Sequence, residues 1–85
     1  MLLKQALGHA LYFERTKQKL TLRDVALRAP IALSYLSEIE RGKKEVSSEI
    51  LDALAKSLGK QTSDILQDTY EILALEEKLV LEYAK

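Results

Sequence analysis

The side chains that carry most enzyme chemistry are scarce in this sequence. His9 is the single imidazole and there is no cysteine. No thiolate zinc site, iron–sulfur cluster, disulfide framework or cysteine nucleophile can therefore be built. His9 follows Gly8 with no second histidine to share a metal, and reads as a surface or half-buried residue. Glu76 and Glu77 are adjacent, so on a helix they diverge and cannot converge on one proton. No glycine-rich phosphate loop exists. Neither catalysis nor a cofactor nor a metal is expected. The chemistry that remains is that of exposed charge, and the charges are unevenly placed. Residues 1–60 hold 11 Lys+Arg against 7 Asp+Glu, a net of +4, whereas residues 61–85 hold 2 against 6, a net of −4. The formal neutrality of the chain is thus the average of a basic body and an acidic tail. A basic body can approach phosphate, while an acidic tail would be repelled and should point elsewhere.

An apolar fraction of 47% over 85 residues predicts one small folded domain, not a disordered tail. A chain of this size hides only about 60–65% of its unfolded surface, so a partner would help it. The longest stretches without a charge, Gln5 to Phe13 and Ala29 to Ser37, are nine residues. Crossing a bilayer takes about 18, so no membrane span is expected. The opening Met1-Leu2-Leu3-Lys4 lacks the pattern of a secretory signal, which makes the cytoplasm the expected location.

The apolar spacing is helical throughout. Leu3, Leu7 and Leu11, widened by Ala6 and Ala10, predict a first amphipathic helix from about Leu2 to Gln18, with Gly8 permitting close packing. Arg15, Lys17 and Lys19 stand at its end, where cations suit the helix dipole. Thr21-Leu22-Arg23-Asp24 is an acidic variant of the capping box and starts a second helix. That helix must stop by Ala29, since Pro30 disfavours helical geometry in the residue before it. Ile31, Tyr35, Leu36 and Ile39 give a third stripe of about nine residues closing at Gly42. Ser47 and Ser48 open a fourth, with Ile50, Leu51, Leu54, Ala55 and Leu58 inward and Gly59 at its end. From Thr62 or Ser63 onward a helical pattern continues without Gly or Pro. No strand signal appears, so the fold class is all-α: five helices, with residues 1–66 as the body and residues 67–85 as a C-terminal helical extension. The second and third helices, separated only by the turn at Pro30 and Ile31, have the spacing of a helix-turn-helix unit, whose second helix can enter a major groove about 12 Å wide.

The runs Thr21-Leu22-Arg23-Asp24-Val25-Ala26 and Tyr35-Leu36-Ser37-Glu38-Ile39-Glu40-Arg41-Gly42-Lys43 resemble those of lambda-repressor-like regulators over roughly Leu7 to Leu66. The stretch Tyr35 to Leu51 is similar in particular to the actinobacterial regulators of Clp protease genes. The resemblance implies a buried structural ion pair between Arg15 and Glu40, which the need of a charge near an apolar seam for a partner also favours. It places Ala32, Leu33, Ser34, Ser37 and Glu38 toward the bases. There Ala32 and Leu33 could touch a thymine methyl, the serines could hydrogen-bond to several edges, and Glu38 could accept from cytosine. Thr21, Arg23, Arg41, Lys43 and Lys44 flank that surface and are expected at phosphates, with Thr21 offering its hydroxyl or backbone amide. Three residues depart from the family pattern: Lys19 and Pro30 stand where glycine is usual, and Ala32 replaces a capping Ser or Thr. Left-handed strain is therefore expected at Lys19 and a missing cap at Ala32. Glutamine is common where Leu22 and Leu33 stand, so base preferences of relatives do not transfer.

Beyond Gln67 the apolar residues exceed what a four-helix body can cover. Ile72, Leu73, Leu79, Val80 and Tyr83 are expected to form a homodimer interface, setting two reading helices about 34 Å apart on palindromic double-stranded DNA. The competing expectation is that this helix folds back onto its own core. By subgroup resemblance the regulator would activate Clp-type protease genes, which requires contact with RNA polymerase; repression would not. The alternative class is a protein-interaction module, an antitoxin or adaptor whose acidic last helix engages another protein.

Overall fold

Five helices form where the punctuation puts them: α1 (Leu3–Lys17), α2 (Leu22–Arg28), α3 (Leu33–Glu40), α4 (Ser48–Ser57) and α5 (Thr62–Tyr83). The computed structural model describes residues 1–84, and among them there is no strand and no helix long and apolar enough to cross a membrane. The fold is all-α, as the periodicity requires.

At two of the helix starts the N-cap side chain itself accepts a backbone hydrogen bond. At the head of α2, Asp24 N donates to Thr21 Oγ1 at 3.0 Å and Thr21 N donates to Asp24 Oδ2 at 2.8 Å. The backbone N–H of Thr21, and after it the Thr21 side chain, hold the Asp24 carboxyl below the usual carboxylate range. At α4, Ser47 Oγ accepts from Ile50 N at 3.2 Å. The start of α3 lacks such a bond, since Ala32 takes the extended N-cap geometry with no side chain to accept.

Three helix ends share one device. The N–H groups of Leu20, Lys43 and Lys60 reach back to the carbonyls of Arg15, Glu38 and Ala55, while those of Lys19, Gly42 and Gly59 bond to Thr16, Ile39 and Lys56. This pair of bonds is the Schellman motif, and it needs a left-handed residue. Gly42 and Gly59 adopt φ of 73° and 68°; Lys19 adopts 60° and carries the strain of a Cβ there. At the end of α2, Ile31 N still reaches Ala26 O at 2.9 Å, so Pro30 sacrifices only the inner bond, for which it has no N–H.

The core draws on every helix: Leu11, Val25, Leu36, Ile39, Leu54 and Ile65 are all but fully buried. Helix α1 is the spine, packed on both α3 and α5. Gly8 marks its crossing with α3, because a Cβ there would sit 2.5 Å from Ile39 O and 2.7 Å from Glu40 O. Leu3 departs from the expected stripe and is 63% exposed. It rims a shallow groove with Val46, Leu51 and Leu66, where the α3–α4 loop covers less than a helix would.

Helix α5 divides in two. Its first half buries Ile65 and Thr69, and Ile72 joins Ala10 and Phe13 in a groove against α1. From Leu75 to Ala84 every side chain but that of Glu76 is exposed. Its 22 residues, about 33 Å at 1.5 Å each, account for a long dimension of 46 Å against 24 and 21 Å.

Candidate nucleic-acid interface

The orientation of α3 is fixed from α1 by Arg15. Its Nε donates to Glu40 Oε2 at 2.7 Å, its Nη2 to Glu40 Oε1 at 2.8 Å, and its Nη1 to the carbonyl of Leu20 at 2.9 Å. The two side chains are only 12% and 8% exposed. The hydrogen bond to Glu40 raises the guanidinium pKa, burial opposes it, and the Coulombic attraction of the same carboxylate adds to the rise. One side chain thereby clasps α1, the turn leading into α2, and the last turn of α3.

So held, α3 turns Leu36 and Ile39 fully inward. Ala32, Ser34 and Arg41 are exposed, Leu33 is 39% exposed, and Ser37 and Glu38 are half-buried. A helix with its side chains is about 10–12 Å across, which a major groove about 12 Å wide admits. Ala32, Ser34 and Ser37 are the small residues of this outer face, and Leu33, Glu38 and Arg41 the longer ones. Glu38 does not stand alone: its Oε2 lies 3.9 Å from Lys44 Nζ, with both groups partly in solvent. An exposed pair of this kind is weak and exchanges readily for a phosphate contact.

Arg23, Arg41, Lys43 and Lys44 are all exposed, Arg23 on α2 and the others at and just beyond the end of α3. Arg41 Nε donates to Ser37 O at 3.4 Å, which lays its guanidinium along α3. Thr21 requires a correction. Its backbone amide is committed to Asp24, because the capping box needs that donor, so only the hydroxyl proton is left for a phosphate. The residues expected at an interface divide likewise. Ile72 and Leu73 are half-buried in the single chain, whereas Leu79, Val80 and Tyr83 are 47%, 56% and 91% exposed.

Two features escaped the sequence reading. Leu66 and Tyr70, 48% and 66% exposed, precede Leu73 and Val80 on one side of α5 at helical spacing. Extending the i, i+4, i+7 count backward from Leu73 would have found them. A cleft between α1 and α3 also appears, and Gln5, His9 and Tyr12, the α1 residues that line it, gave no apolar period to detect.

The sequence pattern of the helix-turn-helix family (HTH_3) matches residues 11–65, which take in α2, the turn and α3 together with the helices that hold them. The chain belongs to the helix-turn-helix family. It is a DNA-binding transcription regulator of the lambda-repressor-like type and not an enzyme. Over 78 residues it is 44% identical to the transcriptional regulator ClgR of Mycobacterium tuberculosis, a match covering 92% of this chain and 70% of that one. The crystal structure of the clp gene regulator ClgR from Corynebacterium glutamicum superposes with a TM-score of 0.84 at 40% identity, covering 99% of this chain and 95% of that one. The restriction-modification controller protein C.Esp1396I, solved as a tetramer with its natural 35 base-pair operator, has a TM-score of 0.81 at 18% identity, covering 87% and 97% of the two chains. That last likeness is one of fold.

Proposed function

We propose that this helix-turn-helix regulator binds a palindromic operator as a homodimer and controls genes of a Clp-type proteolytic system in the cytoplasm. The observation that carries the reading is the uncovered face of α3. Leu33, Ser34, Ser37 and Glu38 face away from the core, with Arg23, Arg41, Lys43 and Lys44 exposed around them. The small side chains read base edges and the cations neutralise phosphates, which is the division of labour that sequence-specific binding needs. Likeness to ClgR regulators supports the Clp assignment. Exposed Leu66, Tyr70 and Val80 and half-buried Leu73, interrupted on that side of α5 by Glu77, support pairing through the helix, since water would otherwise meet most of this strip. Pairing there carries the acidic tail away from the duplex.

Selection of bound duplexes from a random pool tests the reading. A two-fold symmetric sequence should emerge, with half-sites about one duplex turn apart, and its binding should resist random competitor DNA. Recovery of a single unrepeated half-site would remove the dimer. An unenriched pool would remove sequence-specific binding and leave the adaptor class, in which the acidic last helix engages another protein.

A further inference from the structure

We propose that α1 supplies a second DNA contact: Gln5, His9 and Tyr12 form one wall of a cleft that seats the sugar–phosphate strand beside the groove read by α3. The proposal rests on the reading of α3 as the groove-facing helix. The cleft is open and measures about 530 Å³, and its opposite wall includes Ser37 and Arg41. Both residues belong to the face assigned to DNA, so the cleft continues that face onto α1 without a break.

Its chemistry suits a phosphate backbone. Gln5, His9 and Tyr12 recur at i, i+4 and i+7, which puts an amide, an imidazole and a phenol in a row along one side of α1. Each can donate a hydrogen bond. Gln5 Oε1 already accepts from Leu2 N, leaving its amide nitrogen to donate outward. His9 and Tyr12 are exposed, and the imidazole stacks on Phe13 at 6.1 Å, which limits its rotation. The one carboxylate in the lining, Glu40, has both oxygens bonded to Arg15 and so repels little. Arg41 supplies an exposed positive charge at the rim. A row of neutral donors beside one cation fits a strand of spaced phosphates, and the larger, apolar share of the lining, to which Met1 and Leu22 contribute, suits the deoxyribose between them.

The test is a charge series in the full chain. His9→Lys, His9→Gln and His9→Glu are titrated by fluorescence anisotropy against the selected operator and against random duplex, with Gln67→Lys and Gln67→Glu on the exposed side of α5 as controls. His9→Lys should tighten binding to both DNAs, and its advantage over wild type should shrink about threefold between about 50 and 200 mM salt, the dependence of one added phosphate contact. His9→Glu should weaken both. Phosphate ethylation interference should show a contact outside each half-site that disappears in Tyr12→Phe combined with His9→Ala, while contacts next to the α3 site persist. A gain of binding does not arise from misfolding, so the lysine arm is independent of stability. A His9 series as flat as the Gln67 series, with operator binding intact, overturns the α1 contact and leaves α3 standing. Loss of all saturable duplex binding in wild type overturns both.

Discussion

In the proposed reading of α3, Ser34 and Glu38 would present a base with two chemistries: a hydroxyl that adapts and a carboxylate that only accepts. Ser34→Ala or Glu38→Ala should therefore change which operator is recovered from a random pool. Arg41→Ala and Lys44→Ala should weaken every sequence alike and each reduce the salt slope by about 0.9. Because Glu38 lies 3.9 Å from Lys44, Glu38→Ala also releases that lysine and should raise affinity for random duplex at low salt. Unchanged operator preference in both base-face variants would remove these two residues from the readout. A different quantity is at stake at Glu40. Its removal leaves the Arg15 guanidinium, mostly buried, without either carboxylate oxygen. Glu40→Ala should lose about 3 kcal/mol in urea unfolding, where breaking an exposed pair would lose under about 1 kcal/mol. A loss in the lower range would mean that Arg15 finds water or the Leu20 carbonyl enough.

At the scale of elements, the end of α1 shows how a local rule yields to its surroundings. Lys19 occupies a left-handed position with φ of 60°, where Gly42 and Gly59 serve the equivalent ends of α3 and α4. Lys19→Gly should raise stability by up to about 1 kcal/mol, the left-handed cost less the entropy that glycine loses on folding. Thermal unfolding would read this as a higher midpoint, and an unchanged midpoint would place the strain elsewhere. The helices were legible in the sequence because capping residues, terminal glycines and apolar period agree at nearly every boundary, as at Thr21, Asp24, Gly42, Ser47 and Gly59. Leu3 was misread because a periodic stripe says which side of a helix is apolar but not how far along the helix its cover extends. The cleft on α1 was invisible for a related reason: Gln5, His9 and Tyr12 share a side only as polar residues, and polar residues are the ordinary covering of any helix. The commitment of the Thr21 amide could have been foreseen, since the capping box that starts α2 consumes that donor by definition.

For the whole molecule, the neutral total conceals a division of labour along the 46 Å axis. Arg23 on α2 and Arg41, Lys43 and Lys44 just beyond α3 are exposed on the body, while Glu71, Glu76, Glu77 and Glu82 lie on the helix that leaves it. An acidic extension is repelled by phosphate and attracted by nothing on the duplex, so it favours binding only if something else makes use of it. Its apolar positions supply that use. Helix α5 spends Ile65 and Thr69 on its own core and leaves Leu66, Tyr70, Val80, Leu81 and Tyr83 exposed, the surface that the proposed homodimer would cover. Ile72 and Leu73 are half-buried, at the edge of the surface that α5 packs on α1, and the proposed homodimer interface would begin there. Leu73→Lys combined with Val80→Lys places two cations on that strip without touching the fully buried core, and should convert the protein to a folded monomer in sedimentation. Such a monomer should bind an isolated half-site as wild type does and lose about a hundredfold or more on the full palindrome, because the second half-site is then no longer reached by an already tethered reading helix. If the double variant still sediments as a dimer, the pairing surface lies on another helix. If it is monomeric yet keeps full affinity for the palindrome, the two half-sites are bound without physical linkage through α5.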